Sequence, residues 1–203
     1  STLGAGTNAL IDNNGKIIYP WCYKKAEILD DGPLRLTVKL TYEKETRLLT
    51  IDAGSSMVKA EVSYDASAQS APTFCAGIAV HKESPNAYII DKEAGIIAYE
   101  DLGDSEFYIP RLRSKLNKEM GYMFIGCIMP EATDCYYAPF EKETSGAPGQ
   151  VIASKPLTAS NIYYFGNAWS RNETLGISIL DEWLQYMTAF SKQLKQPLKI
   201  TVK

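Results

Sequence analysis

Apolar and polar residues alternate along the middle of the chain. After a turn at residues 30–33, every second residue of the segment 34–41 is leucine or valine, and arginine, lysine or threonine stands between them. This period of two is typical of a β-strand with one buried and one solvated face. Residues 45–52 give a second strand, and residues 57–64 follow after another turn at 53–56. Together the three segments predict an antiparallel meander.

Further short apolar segments are predicted as strands at 74–81, 87–91, 95–100, 121–129, 150–154 and 161–166. Because no helical pattern separates them, stacked antiparallel sheets are favoured over an α/β fold. Polar stretches at 101–118 and 132–148 are predicted as long surface loops, which are common places for ligand contacts.

A different period appears near the C-terminus. From Leu180 to Leu194, apolar residues recur at three- and four-residue steps, which predicts an amphipathic helix. Ser178 is expected to cap this helix and Pro197 to end it, before a last strand at 198–202. The predicted fold is an all-β antiparallel β-sandwich with one C-terminal amphipathic helix, in which residues 1–203 form a single domain.

Length and charge narrow the classes of partner. A chain of 203 residues fits within one all-β domain. It has 21 Lys and Arg against 24 Asp and Glu, a net charge of −3, and its basic residues are scattered, so no nucleic-acid partner is expected. No apolar run reaches the roughly 18 residues that a membrane span requires, so no span is predicted.

The cysteines do not predict a metal site. Cys22, Cys75, Cys127 and Cys135 lack zinc-ligand spacing, the chain has one histidine, and no acidic loop has calcium-ligand spacing. We therefore predict no metal and no cofactor. Cys127 and Cys135 could close a short disulfide loop in an oxidising compartment, or could stay reduced as small apolar residues.

Residues 161–170, with the sequence NIYYFGNAWS, combine three consecutive aromatics with amides and a tryptophan. Flat sugar faces bind to aromatic rings flanked by hydrogen-bonding amides, so Tyr164, Asn167 and Trp169 are predicted to contact a saccharide. Arg171 could add charge recognition from the same loop. The alternative is that alternate aromatics, such as Tyr163, simply fill the core of a sheet.

Three residue types are candidates for chemistry on a sugar. His81, the one imidazole, is the first choice as proton carrier, and a solvated histidine at a strand end is the alternative. Tyr164 could act as acid or base if a neighbouring cation lowered its pKa. A planar guanidinium is well suited to a uronate carboxylate, although each arginine could instead form a surface ion pair. The arginines considered are Arg35, Arg47, Arg111, Arg113 and Arg171.

Several phrases occur in a characteristic order: LGAGT at 3–7, EILDDGPLR at 27–35, LTIDAGS at 49–55, and YYFGNAWS at 163–170, before a helix that ends in QPL at 196–198. Over nearly the whole chain they resemble an uncharacterised domain family of bacterial glycan-degradation loci, found beside or fused to unsaturated glucuronyl hydrolases. The resemblance implies a galactose-mutarotase-like β-supersandwich. It supplies no established reaction or catalytic set.

The resemblance also implies a role and a location. It points to export, hence a periplasmic or secreted protein, and to oligosaccharides that contain uronic acid. Family members are usually longer at the N-terminus, so the chain could be the C-terminal part of a longer protein, with that missing part as its partner. Three roles stay open: a carbohydrate-processing or accessory domain, a non-catalytic carbohydrate-binding module, and a structural or docking domain. An enzyme of this type would be a sugar epimerase, a lyase or a glycoside hydrolase.

Overall fold

The computed structural model describes residues 1–65, 71–102 and 121–196. Within these residues the strands are β1 (Ala5–Ile11), β2 (Ile17–Ile18), β3 (Lys25–Asp31), β4 (Arg35–Thr41), β5 (Glu45–Asp52), β6 (Met57–Tyr64), β7 (Thr73–Val80), β8 (Tyr88–Asp91), β9 (Ile96–Leu102), β10 (Tyr122–Ile128), β11 (Asp134–Thr144), β12 (Ala147–Pro156) and β13 (Asn161–Trp169), and the helix is α1 (Leu180–Lys195).

The strands form two antiparallel sheets. Sheet A has the strand order β11-β12-β7-β1-β2, and sheet B has the order β3-β4-β5-β6-β13-β10-β9-β8. The meander predicted between residues 34 and 64 is present, because β4, β5 and β6 are consecutive neighbours in sheet B. The prediction of an all-β antiparallel sandwich with one C-terminal helix is confirmed.

The main core lies between the two sheets. Phe74 and Ile78 of sheet A pack with Tyr99 and Tyr163 of sheet B, and all four side chains are buried. The rings of Phe74 and Tyr163 have centroids 5.9 Å apart. The core-filling interpretation of the aromatic run is therefore correct for Tyr163.

Helix α1 covers the other face of sheet B. Trp183 and Met187 are fully buried there, above Gly126 of β10, where a Cβ atom would collide with the Met187 side chain. The helix begins after Ile179, so the prediction of Ser178 as the cap is wrong by one residue. Ser178 instead donates its backbone N–H and its hydroxyl to the carboxylate of Glu182, at 2.7 and 2.9 Å.

The prediction of a surface loop at 132–148 is wrong. Strand β11 occupies most of this segment, and β12 begins at Ala147. Because β11 is an edge strand of sheet A, it tolerates Pro139 and exposed charged residues that hide the strand pattern. The loop predicted at 101–118 starts too early, since Asp101 and Leu102 belong to β9. The rest of that loop, Pro197 and the strand predicted at 198–202 lie outside the described residues.

Candidate functional site

Strand β13 presents the predicted saccharide contacts on opposite faces. Tyr163 and Phe165 point into the core between the sheets, and Asn167 and Trp169 continue that face because side chains alternate along a strand. Tyr164 points to the opposite face, where its ring packs against helix α1. The structure therefore brings Asn167 and Trp169 to one face and places Tyr164 on the other.

His81 follows β7 directly and is held by two residues of β9. Its Nδ1 lies 2.9 Å from Oδ2 of Asp101. The hydroxyl of Tyr99 accepts the backbone N–H of His81 at 2.9 Å and donates to Oδ1 of Asp101 at 3.4 Å. The hydrogen bond to Asp101 raises the pKa of His81, and this outweighs the opposing effect of partial burial. The imidazole is therefore oriented and biased towards its protonated, proton-donating form.

The strand register brings this pair towards Trp169. Asp101 of β9 lies opposite Met123 of β10, which in turn lies opposite Trp169 of β13. Residues directly opposed in antiparallel strands point to the same face, and two strand spacings separate the Cα atoms of Asp101 and Trp169 by about 10 Å. His81, Asn167 and Trp169 thus lie at the same end of the sandwich.

Tyr164 does not have the surroundings that a catalytic base needs. Its pKa is raised, mainly by burial against α1 and additionally by the negative charge of Glu61. A role in proton abstraction would require the opposite shift. The Tyr164 hydroxyl is therefore protonated. Its catalytic and sugar-binding roles stay predictions.

The candidate arginines differ greatly in burial. Arg35 forms an exposed two-point ion pair with Asp52, at 2.6 and 2.9 Å. Arg171 is exposed just after β13, while Arg111 and Arg113 lie outside the described residues. Arg47 of β5 is different, because only 7% of its surface is exposed.

Arg47 forms a buried ion pair with Glu45, two residues earlier on the same face of β5. The Nε of Arg47 donates to Oε1 of Glu45 at 2.6 Å, and the Glu45 side chain is 5% exposed. Burial acts to lower the pKa of Arg47, but the charge of Glu45, its hydrogen bond, and the nearby hydroxyl groups of Tyr163 and Tyr42 together outweigh burial, so the pKa lies above its ordinary value. The guanidinium is therefore permanently charged although it is largely removed from water.

A hydrogen-bond network fixes the carboxylate of Glu45 from the opposite sheet. The side-chain amide of Asn8, on β1, donates to Oε2 of Glu45 at 3.2 Å and to the hydroxyl of Tyr64 at 2.9 Å. The hydroxyl of Tyr163 donates to the amide oxygen of Asn8 at 3.3 Å. Burial strongly raises the pKa of Tyr64, so this hydroxyl stays protonated. Polar groups from both sheets thus hold Arg47 in one position.

One end of the guanidinium lacks a protein partner. Nη2 of Arg47 is buried and has no hydrogen-bond acceptor within the part of the chain that the structure describes. A buried donor without an acceptor costs free energy, and a bound acceptor would recover that cost. The guanidinium carbon lies 4.4 Å from the centroid of the Tyr42 ring, so the charged plane is also stacked on an aromatic face.

Arg47 lines a cavity of about 400 Å³, and a second cavity of about 320 Å³ adjoins it. The two share the walls Tyr19, Pro20, Trp21, Cys22 and Tyr42, and we call them together the Arg47 cleft. Such volumes are within the usual range for small-molecule sites. Trp21 is 86% exposed, the largest exposed fraction of any large apolar side chain described. A ligand that stacked on its ring would remove that apolar surface from water.

The charges of the cleft favour an anion. Its lining contains three basic residues, Lys24, Lys44 and Arg47, against the two carboxylates of Glu43 and Glu45. This local excess of positive charge occurs in a chain with a net charge of −3. The combination of a fixed guanidinium and aromatic walls suits a ring-shaped ligand that carries a carboxylate.

The Arg47 cleft and the His81–Asp101 pair are separate places. In sheet B, Arg47 pairs with Val62, which pairs with Asn161 at the start of β13, whereas Trp169 ends that strand. Eight residues of extended strand correspond to about 26 Å. One small ligand therefore cannot contact both groups.

Sequence reasoning considered Arg47 but missed Trp21, Tyr42 and Glu45. Two opposite charges two residues apart on a predicted strand were a usable signal, because that spacing places Glu45 and Arg47 on one face. Nothing local marks Trp21 or Tyr42. Trp21 lies between β2 and β3 and Tyr42 lies between β4 and β5, so only the tertiary structure brings them to one cavity.

The described residues show no metal site, no membrane-spanning helix and no disulfide. Among them, no group of three or more histidine, cysteine or acidic residues is arranged to hold a metal ion. The described helix is too short and too polar to cross a bilayer. All four cysteines are free thiols; Cys22 is exposed in the cleft, and Cys75, Cys127 and Cys135 are buried.

Fold and site together define a β-sandwich domain of two antiparallel sheets in which a buried arginine lines an aromatic cleft. The chain belongs to the family described as Domain of unknown function (DUF4861), whose model matches residues 1–200.

No curated protein matches the sequence. Among solved structures, the chain is similar to one described as "Active YidC insertase crystal structure with the first transmembrane domain resolved". The identity is 7% and the TM-score 0.43, over 93% of this chain and 36% of that chain. This chain therefore spans about a third of the length of that structure, and a likeness of this degree carries no functional inference.

Proposed function

We propose that this domain recognises uronic-acid-containing oligosaccharides in the Arg47 cleft, as an accessory or processing domain of glycan degradation. The observation that carries the proposal is the buried guanidinium of Arg47, whose Nη2 has no acceptor among the described residues and which lines an aromatic cavity. The resemblance to domains of bacterial glycan-degradation loci supports the same ligand class and a periplasmic or secreted location.

The chemistry of a uronic acid fits each part of the cleft. Its carboxylate can accept a charge-assisted hydrogen bond from the guanidinium of Arg47, which lines the cavity, while Glu45 keeps that group in place through Nε. The C–H face of the sugar ring can stack on Trp21, and its hydroxyls can reach solvent or polar side chains. A neutral sugar lacks the anion that the guanidinium attracts.

Catalysis on the same class of substrate is a second candidate function, favoured by the His81–Asp101 hydrogen bond of 2.9 Å. A carboxylate that orients an imidazole is a common arrangement for proton transfer. An epimerase, lyase or hydrolase reaction would use His81 as the proton carrier, with Asn167 and Trp169, at the same end of the sandwich, as sugar contacts. Replacing His81 by glutamine should then abolish product formation from acidic oligosaccharides while binding in the Arg47 cleft persists.

Binding measurements with paired ligands test the primary proposal. The acidic ligands are a panel of aldobiouronic acids, disaccharides of a uronic acid and a neutral sugar. The controls are the matching neutral disaccharides, in which a hydroxymethyl group replaces the carboxylate. We expect calorimetric titration to give at least about tenfold tighter binding of the acidic member, since a charge-assisted hydrogen bond contributes roughly 1.5–3 kcal/mol.

Arg47→Lys is the informative variant, because lysine keeps the charge beside Glu45 but has no planar fork to reach the ligand. We expect it to remove the preference for the acidic disaccharide. Leu34→Ala is the control, since Leu34 is 76% exposed and lies outside the cleft lining. Retention of the full preference in Arg47→Lys, or equal affinity of the wild type for acidic and neutral ligands, would overturn the proposal.

A further inference from the structure

The two adjoining cavities of the Arg47 cleft differ in chemistry. The cavity of about 400 Å³ contains Arg47 and the hydroxyl-bearing residues Thr2 and Thr7. The cavity of about 320 Å³ lacks Arg47. Leu10 and Ile18 line it, together with Tyr64 and four charged residues, Lys24, Glu43, Lys44 and Glu45. One compartment thus offers the Arg47 guanidinium with hydroxyl groups, and the other offers apolar side chains beside two lysines and two glutamates.

The shared wall is a continuous piece of chain rather than a barrier of separate side chains. Both cavities are lined by the consecutive residues Tyr19, Pro20, Trp21 and Cys22. Tyr42, which directly follows β4, also lines both. The hydroxyl of Tyr19 accepts a hydrogen bond from Gln150 of sheet A at 3.1 Å, which anchors this segment. A ligand that stacks on Trp21 would therefore contact the segment that lines both cavities.

We propose that the Arg47 cleft binds two consecutive units of one saccharide chain, a uronic acid beside Arg47 and its neighbour with an apolar face against Ile18 and Leu10. The inference rests on the proposed function and adds the length and order of the ligand. Each cavity is near the lower end of the roughly 300–1,000 Å³ range of small-molecule sites, which suits one sugar ring in each.

The position of Ile18 supports contact with a ligand. Ile18 is 47% exposed although it lies in β2, and its pairing with Leu10 of β1 places both side chains on one face at the cavity. An apolar sugar face laid on Ile18 would remove this surface from water. Lys24, Glu43 and Lys44 line the same cavity and can form hydrogen bonds with sugar hydroxyl groups.

A comparison of ligand lengths tests the inference. The wild type is titrated with free glucuronic and galacturonic acid and with the aldobiouronic acid panel. We expect the best disaccharide to bind at least about tenfold more tightly than either monosaccharide, because a second ring buries additional surface. Ile18→Asn should remove about fivefold of the disaccharide affinity and leave the affinity for the monosaccharide unchanged.

Two further variants protect the interpretation. Ile28→Asn is the matched control, because Ile28 is a 67% exposed isoleucine on edge strand β3, outside the cleft lining. Ile18→Tyr narrows the same cavity without removing apolar surface, and should also weaken only the disaccharide. If Ile18→Asn does not fold, Ile18→Tyr still tests the inference.

The possible results separate the two proposals. Suppose that the monosaccharide binds in an Arg47-dependent way. If no disaccharide then binds more tightly, or if Ile18→Asn weakens both ligands equally, the two-unit inference is overturned and the proposed function stands. Binding of neither ligand, or binding that Arg47→Lys does not change, would overturn both.

Discussion

Nε of Arg47 donates to Oε1 of Glu45 across 2.6 Å, and the two side chains are 9% and 5% exposed. The pair lies between the sheets, where Asn8 of β1 supports the carboxylate. Its burial connects the stability of the fold with the orientation of the candidate ligand-binding group.

Glu45→Gln should destabilise the domain, because Arg47 would remain buried without its counter-ion. Breaking a buried ion pair from one side costs about 3–5 kcal/mol. Urea unfolding followed by tryptophan fluorescence measures the loss. Glu43→Gln is the matched control, since its side chain is 73% exposed in a surface pair with Lys24, and it should change the free energy of unfolding by less than about 0.5 kcal/mol. Equal effects of the two substitutions would contradict this account of the pair.

The pKa of His81 should fall when its partner loses its charge. Asp101→Asn removes the hydrogen-bonded carboxylate that raises this pKa, and the variant can be followed by NMR because the chain contains one histidine. An unchanged titration midpoint in the variant would show that Asp101 does not control the imidazole.

The same pair predicts a pH dependence of stability. A histidine with a pKa raised by folding stabilises the folded state fully below its unfolded pKa of about 6.5, and this contribution disappears as the pH rises through the folded pKa. The difference in unfolding free energy between wild type and Asp101→Asn should therefore be larger at about pH 6 than at about pH 9. Urea titrations of both proteins at each pH measure it; a difference that grows with pH would contradict the assignment.

Gly166→Ala should destabilise sheet B. A Cβ atom at Gly166 would collide with the backbone carbonyl of Ser56, which cannot move without disturbing β6. Overpacking of this kind costs about 1–3 kcal/mol. Gly32→Ala is the control, because a Cβ atom there would meet only ordinary contacts at 3.6 and 3.7 Å. Thermal unfolding of both variants distinguishes them, and a stable Gly166→Ala protein would show that the close approach is not required.

Alkylation of Cys22 should report on occupancy of the cleft. Cys22 is exposed and lines both cavities, whereas the three other cysteines are buried and burial raises the pKa of Cys75 to about 12 and that of Cys135 to about 11. Iodoacetamide should therefore modify Cys22 first, and an aldobiouronic acid should slow that reaction while its neutral analogue should not. Mass spectrometry of the peptides measures both rates. Equal rates with both sugars would place the ligand elsewhere.

Much of the fold could be predicted from the sequence because its main signals are local. The alternation in β4, β5 and β6 and the helical period of α1 follow directly from neighbouring residues. Edge strand β11 was missed because exposed polar residues and Pro139 interrupt its pattern. Strand β1 contains Gly6 in a left-handed conformation at an irregular pairing, which also weakens the pattern.

The candidate site was harder to predict because it depends on contacts between distant segments. The aromatic run in β13 predicts sugar contacts, but side chains alternate along the strand, so Tyr163 lies in the core and Tyr164 lies on the helix side. Trp21 follows β2 in sheet A, and Arg47 lies on β5 in sheet B. They line one cavity only because the two sheets pack together. Residue type identified the guanidinium as a candidate, and only tertiary structure identified its burial.

The most direct measurement is the affinity of an aldobiouronic acid for the wild type and for Trp21→Ala, with Trp169→Ala measured in parallel. Trp21 lies in the Arg47 cleft and is 86% exposed, whereas Trp169 is the last residue of β13 and lies outside the cleft lining. Loss of a stacked aromatic should weaken binding by about tenfold or more in Trp21→Ala, with little change in Trp169→Ala. Undiminished affinity in Trp21→Ala would contradict the assignment of the cleft as the acidic-sugar site.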